Sequence, residues 1–340
     1  MTVGLEDRLH TIEEDVRLLW KAFGEWATDN ELPSDMWRRI SIVKLQDAYI
    51  RAPKVSWKCP ICEHDNFDRV VRVDRHSLGV ETGICRHCGF VTLSPRPTEE
   101  WLSNFYKEYF WPVYIGADYS NSEDLYVRDN CQQRAEQIVS AVLEVLSFVP
   151  KNCLDIGAGF GATMSVLSQR LPTASIKGVE LSREGVNFCR NRGLDVDTGD
   201  IHSLSKSAPN TPKYDLITMI HVLEHVSNPV HALTAARSRL TKDGCIYIEV
   251  PDLESKEWRG KDFFHIAHLH YFYKRSLINL FDRVGLSCIQ TFHGPSSHWP
   301  WAIGVLATIK GTAILPAEVR KLSRLDRSSL IGRTRRQVDA

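Results

Sequence analysis

The stretch Leu154-Asp155-Ile156-Gly157-Ala158-Gly159-Phe160-Gly161 limits what this chain can fold into more than any other. It reads as a buried strand running into a glycine-rich turn that opens a helix, and that geometry lets backbone N–H groups approach a nucleotide-like ligand closely. Glu180 follows 23 residues after Gly157, where a second strand over 175–181 should end. A carboxylate there can hold a ribose diol. Gly157 to Ala162 also fits the G-x-G-x-x-A dinucleotide fingerprint, so the glycines alone leave several nucleotide cofactors open. Asp155, at the end of the first strand, suits a cationic ligand group better than a pyrophosphate.

Downstream the pattern alternates. Strands are expected at 153–156, 175–181, 195–198, 216–220 and 245–250, with helices from Gly161 and over 182–192 and 230–240. A long loop, a helix over 276–284 and strands at 286–291 and 302–309 complete the series. Such alternation predicts an α/β fold with a doubly wound parallel sheet, ligand loops at the strand C-termini and a final antiparallel pair.

The first half of the chain is organised differently. Leu5, Leu9, Ile12, Val16, Leu19, Phe23 and Trp26 trace an a/d seam that a homo-oligomeric coiled coil or an intramolecular hairpin satisfies equally. Pro33 stops it, and Ser34 can cap a second helix to about Tyr49. Cys59-Pro60-Ile61-Cys62 and Cys85-Arg86-His87-Cys88 form two C-x-x-C knuckles around expected strands near Val70 to Val73. Two knuckles offer four thiolates to one tetrahedral Zn2+, a closed and therefore structural site; a redox dithiol pair is the rival reading. His64, His76 and His87 are expected as solvated loop residues, and the other five of the nine cysteines as small core residues. An aromatic-rich helix follows Thr98, and helical periodicity returns over 128–148. The arginine-rich tail past Lys310 reads as a solvated helix or a contact for an anionic partner. The expected segments are a helical 1–52, a zinc ribbon at 53–97, a helical linker and substrate lid at 98–149, a cofactor domain at 150–310 and a basic tail at 311–340.

With 42 basic and 42 acidic residues the charge balances, which argues against a broad nucleic-acid-binding surface. No apolar run has the length of a signal peptide core or a bilayer span, so a cytoplasmic location is expected.

The ordered set now identifies a resemblance. The glycine loop, Thr198-Gly199-Asp200-Ile201, Tyr214 to Val226 and Ile246 to Pro251 resemble, in order, motifs of the class I S-adenosylmethionine-dependent methyltransferases. The resemblance implies a Rossmann-like sheet and S-adenosylmethionine as cofactor. It implies cofactor contacts from Asp155, Gly157, Gly159, Gly161, Glu180, Leu181, Asp200, Ile201, Ile220 and His221, with Asp200 on the adenine amino group. The two knuckles, Pro95-Arg96-Pro97-Thr98 and Phe105-Tyr106 are similar to the zinc-binding part of deoxysugar C-methyltransferases and relatives in polysaccharide synthesis. Those relatives carry an E-H-x-x-Y-F segment; here Ala267-His268-Leu269-His270-Tyr271-Phe272 keeps the histidine and loses the glutamate. The expected reaction is therefore methylation of a sugar hydroxyl, or carbon, in a nucleotide sugar or glycan; the alternatives are an RNA methyltransferase that uses the zinc ribbon to bind RNA, or a non-catalytic cofactor-binding scaffold.

Methyl transfer is an in-line displacement, so the protein positions the acceptor and manages its proton. Histidine titrates near neutrality and suits proton removal. His268 ranks first as base and His221 second, with Glu224 and His225 beside them. A metal site is the alternative: His221-x-x-Glu224-His225 resembles the E-x-x-E-H set that binds Mg2+ in small-RNA 3′-end methyltransferases, His268 could complete it, and N/O ligands suit Zn or Fe as well as Mg. The competing reading is that Glu224 and His225 start a helix and tie down backbone.

Overall fold

The computed structural model describes residues 34–115, 122–201, 204, 211–257, 263–297, 299–310, 330–332 and 334. The seam over residues 5–26 and almost all of the basic tail lie outside the described residues. The chain divides into two units, 1–52 with 100–120, and 53–99 with 121–340.

In the first unit α1 (Ser34–Ile50) carries Tyr49, whose ring meets Trp101 edge-on at 5.8 Å. Trp101 stacks on Phe105, and Phe105 and Phe110 pack on Tyr114. Arg38 Nε donates to the Val113 carbonyl at 2.8 Å. The aromatic stretch is used for packing within this unit.

Among the described residues the second unit contains three sheets. β1 (Lys54–Val55) and β5 (Arg96–Pro97) form a two-stranded one, and β2 (Phe67–Val71), β3 (Thr82–Cys85) and β4 (Val91–Leu93) belong to a four-stranded one that shares a core with the largest. From residue 100 onward α2 (Glu99–Glu108) belongs to the first unit, and the second continues with α3 (Ser122–Arg128) and α4 (Cys131–Val145). The expected single helix over 128–148 is interrupted because Asn130 takes a left-handed conformation (φ 48°), which a helix interior cannot contain.

The larger sheet is built from β6 (Asn152–Ile156), α5 (Ala162–Arg170), β7 (Ser175–Glu180), α6 (Arg183–Asn191), β8 (Val196–Thr198), β9 (Tyr214–Ile220), α7 (Pro229–Ser238) and β10 (Leu240–Pro251). After β11 (His270–Tyr271) it is completed by α8 (Lys274–Arg283), β12 (Leu286–His293) and β13 (Ala302–Ile309). Its order is β12-β13-β10-β9-β6-β7-β8, with β13 antiparallel to both neighbours and β6 to β10 parallel. The fold is the expected Rossmann-like α/β sheet.

The central strands are apolar on both faces because both are covered. Leu154, Ile156, Ile217, Met219, Ile246 and Ile248 face α7 and α8. Cys153, Leu216, Cys245 and Tyr247 alternate onto the face of α4 and α5. Of the scattered cysteines, Cys153, Cys189 and Cys245 are buried as expected, while Cys131 and Cys288 are half-buried.

The four-stranded sheet, ordered β11-β4-β3-β2, takes its last strand from far along the chain: His270 pairs with Thr92 and Tyr271 with Val91. His270 is therefore not part of an open loop. It is a buried strand residue whose Nδ1 lies 2.9 Å from Thr92 Oγ1. Further bonds stitch the preceding loop to the cysteine module. Arg75 N–H donates to Phe264 O, Ile266 N–H to Asp74 Oδ2, Leu93 N–H to Leu269 O and Tyr273 Oη to Gly89 O. Cys59, Ile61, Cys85, Cys88 and Phe90 share the core that contains the central strands of the larger sheet. Among the described residues no helix is long and apolar enough to cross a membrane.

Candidate functional site

The glycine loop leaves β6 with Gly157, Gly159 and Gly161 all at positive φ (74°, 55° and 74°). Two of these glycines are also sterically required. A Cβ on Gly157 would come within 2.3 Å of Val222 Cγ2, and one on Gly161 within 2.4 Å of Leu194 Cδ1. At Gly159 the space is open, which suits close approach of a ligand to the backbone.

Glu180 ends β7 beside this loop. Its Oε2 accepts from Gly159 N–H at 2.9 Å and its Oε1 from Ser182 N–H at 2.7 Å. Each oxygen retains a lone pair for a further donor. β8 pairs Thr198 with Glu180, which brings half-buried Asp200 and buried Ile201 to the same sheet end. Leu181 turns outward and is 63% exposed. Ile220 is the last residue of β9.

Asp155 is buried and pairs across to Thr218, whose hydroxyl donates to Asp155 Oδ1 at 2.6 Å. Burial pushes its carboxyl up to about 7, with the Glu180 charge adding to the rise and the Thr218 bond opposing it. Because this folded-state value lies above the ordinary 3.8, burying Asp155 costs stability increasingly as pH rises toward about 7. A cation bound beside it favours the ionised form. Cofactor binding near pH 6 is thus expected to release close to one proton and to tighten as pH rises, levelling above about 7. Titration calorimetry in buffers of different ionisation enthalpy measures this, and Asp155→Asn should abolish the release; an unchanged release would disprove the assignment.

The turn after β9 carries the next group. His221 has a left-handed backbone (φ 54°) fixed by its N–H donating to Glu249 O at 2.9 Å. Its Nδ1 lies 3.0 Å from Glu224 Oε1 and its Nε2 3.2 Å from Glu249 Oε1. Both ring nitrogens are therefore engaged by carboxylates, and Trp299 closes on the ring edge-on at 4.3 Å. Glu249, on β10, also accepts from Arg134 Nη2 at 2.8 Å and from the Tyr247 hydroxyl at 2.9 Å. Burial alone would raise this carboxyl, but the His221 bond and the Arg134 charge hold it down at about 2. Arg134 also lies 3.6 Å over the Trp299 ring. Arg134, Tyr247, Glu249 and Trp299 were not anticipated; a lone acid inside the Ile-Tyr-Ile-Glu-Val run was the available signal.

Glu224 and His225 lie in a turn, and the helix begins only at Pro229, so they do not start it. The Glu224 carbonyl accepts from the Leu269 and His270 amides. His225 Nδ1 is 2.8 Å from the Ala267 carbonyl, and its ring meets His268 at 5.0 Å. Burial holds His225 below, and His265 and His268 well below, the usual imidazole range. The structure thus brings His221, Glu224, His225 and His268 together.

The four knuckle sulfurs lie within 4.8 Å of one another, with Cys59 to Cys88 and Cys62 to Cys85 both at 3.5 Å. A tetrahedral ion about 2.3 Å from each sulfur would space them by roughly 3.8 Å, so the set fits Zn2+. His64 is exposed and stacks on His87 at 3.9 Å, whereas His76, expected in solvent, is buried with its amide donating to Asp74 Oδ1.

Residues 131–291 match a family model described as a methyltransferase domain. The chain is 30% identical over 128 residues to an uncharacterized 37.1 kDa protein of a Streptomyces fradiae transposon, covering 36% of each. It is 27% identical over 120 residues to the mitochondrial ubiquinone biosynthesis O-methyltransferase of Candida albicans (34% of this chain, 37% of that protein). With the Stutzerimonas stutzeri ubiquinone biosynthesis O-methyltransferase it is 23% identical over 124 residues (35% and 53%). The chain thus spans about a third to a half of the length of these curated relatives. A solved S-adenosylmethionine-dependent methyltransferase from Clostridium acetobutylicum superposes with TM-score 0.45 at 15% identity, covering 57% of this chain and 98% of that one. Residues 131–291, the segment that holds the glycine loop and the His221–His225 turn, thus carry the match to a methyltransferase domain.

Proposed function

We propose that the chain transfers the methyl group of S-adenosylmethionine to a hydroxyl oxygen, or a carbon, of a sugar during nucleotide-sugar or polysaccharide synthesis. The observation that carries this reading is the juxtaposition at Gly157. The loop suited to the cofactor touches Val222, inside the turn that bears His221, Glu224 and His225. A donor methyl and an acceptor proton would then be handled by adjacent loops. Asp155 would face the cationic methionyl part, Glu180 the ribose and Asp200 the adenine. The O-methyl transfer named for the ubiquinone relatives supports oxygen over carbon, and the similarity of the knuckle and Pro-Arg-Pro-Thr segments to sugar enzymes supports a sugar.

During transfer the acceptor O–H bond breaks as the O–CH3 bond forms, and the electron pair of the S–CH3 bond stays on sulfur. The proton goes to the histidine–glutamate cluster. His268, whose Nδ1 is buried without a partner among the described residues, ranks ahead of His221, which two carboxylates already engage, as the residue that would receive it. The four cysteines would hold a structural Zn2+, leaving no coordination position for substrate.

Glu180→Ala should weaken S-adenosylmethionine binding by roughly ten- to a hundredfold, since hydrogen bonds to a charged group contribute about 1.5–3 kcal/mol. Calorimetry measures this, and a panel of nucleotide sugars assayed for methyl transfer tests the acceptor. Wild-type affinity in Glu180→Ala, or no binding by the parent chain, would sink the cofactor reading. Binding without turnover on any sugar would sink the acceptor.

A further inference from the structure

We propose that Glu224, His225 and His268 form a second metal site, separate from the four cysteines, that takes a divalent transition ion with nitrogen and oxygen ligands. This rests on the methyl-transfer reading and specifies how the acceptor is activated.

One ligand atom from each of the three residues lies within 4.8 Å of the other two, with His225 Nε2 3.9 Å from Glu224 Oε1. An ion about 2.0–2.1 Å from each atom of a tetrahedral set requires spacings near 3.4 Å, so closure needs only small side-chain adjustments. Two buried polar atoms of the cluster have no hydrogen-bond partner among the described residues. Glu224 is fully buried, yet its Oε2 has no partner, and His268, 9% exposed, leaves Nδ1 without one. Two orphaned buried polar atoms in one cluster are costly unless something binds them.

His225 supplies an independent argument. Its Nδ1 sits 2.8 Å from the Ala267 carbonyl, which can only accept. The proton must therefore reside on Nδ1, leaving the Nε2 lone pair directed elsewhere. A ring held by one nitrogen on a backbone carbonyl is the common arrangement for a metal-ligating histidine. His221 completes the second layer by engaging Glu224 Oε1.

Three protein ligands leave a fourth position open. The half-buried His225 marks the side from which an acceptor reaches it. The donor set of two imidazoles and one carboxylate suits Zn2+, Fe2+ or Co2+ better than Mg2+. A hydroxyl bound to the ion loses its proton to water more readily. The oxygen then attacks the donor methyl carbon, with the S–CH3 electron pair retained by sulfur. In this arrangement His268 is a ligand and the ion replaces it as the acidifying group.

The test is titration of Co2+ into the full-length chain carrying its cysteine-bound zinc, followed by visible absorption and metal analysis. One further equivalent with weak d–d bands is expected, without the intense sulfur-to-cobalt bands of a thiolate site and without zinc release. Glu224→Gln and His268→Ala should each weaken that binding at least tenfold while leaving the zinc content unchanged. Should His268→Ala fail to fold, the near-isosteric Glu224→Gln decides. Absence of an additional equivalent, sulfur-to-cobalt bands alone, or unchanged Co2+ binding in a folded variant would overturn the proposal. S-adenosylmethionine calorimetry on the same samples separates that outcome from failure of the methyltransferase reading.

Discussion

If the four cysteines hold zinc as proposed, its removal by a strong chelator, or the substitution Cys85→Ser, is expected to reduce methyl transfer more than a hundredfold while weakening cofactor binding by less than tenfold. Structural Zn2+ contributes roughly 10–16 kcal/mol to small metal-built modules, comparable to the ~5–15 kcal/mol net stability of a whole domain. Without it β2 to β4 cannot remain folded, and β11 loses its pairing partner. The segment bearing His265 and His268 then loses its bonds to Asp74, Arg75 and Leu93. Glu180 and the glycine loop depend on β6 and β7, which pair only within the larger sheet. The discriminating measurement is parallel calorimetry and turnover on metal-free protein. Undiminished turnover after complete zinc removal would show that the module does not hold the histidines.

Glu249→Ala should be among the most damaging single substitutions in the larger sheet. It leaves Arg134, only 13% exposed, without its carboxylate, and strips an acceptor from His221 and Tyr247. Removing one partner of a buried ion pair costs about 3–5 kcal/mol. At roughly 2–4 °C per kcal/mol for a domain of this size, the melting temperature should fall by about 6–20 °C. The double variant Arg134→Met with Glu249→Leu should recover most of the loss, because neither charge is then buried alone. Thermal unfolding of the three proteins checks this. A fall of under 2 °C for Glu249→Ala, or no recovery in the double variant, would contradict it.

What the sequence made legible follows from the range of each interaction. β13 is readable because a strand covered on both faces shows a near-continuous apolar run. The glycine loop with Asp155 and Glu180 is readable because its steric and charge demands fall within 30 residues. β9 begins earlier than expected, at Tyr214-Asp215, because Asp215 accepts from the Lys151 and Asn152 amides of the neighbouring strand. That satisfaction is invisible in a local charge pattern. Glu249 looked like an isolated acid because its cation lies 115 residues earlier on α4. His270 looked like a loop residue because its strand partner belongs to a different module.

The pairing of β11 with β4 also has a consequence for biosynthesis. Thr92 and His270 are separated by 178 positions, so the metal-organised hairpins emerge from the ribosome long before the strand that completes their sheet. Until then the edge of β4 is an open template for foreign strands. Early metal capture would hold that nucleus together through the wait, and closure of the edge would mark the point at which the downstream sheet has folded. If the four cysteines hold zinc as proposed, slow maturation and a dependence on zinc supply during expression are the expected outcomes of this long-range pair of strands.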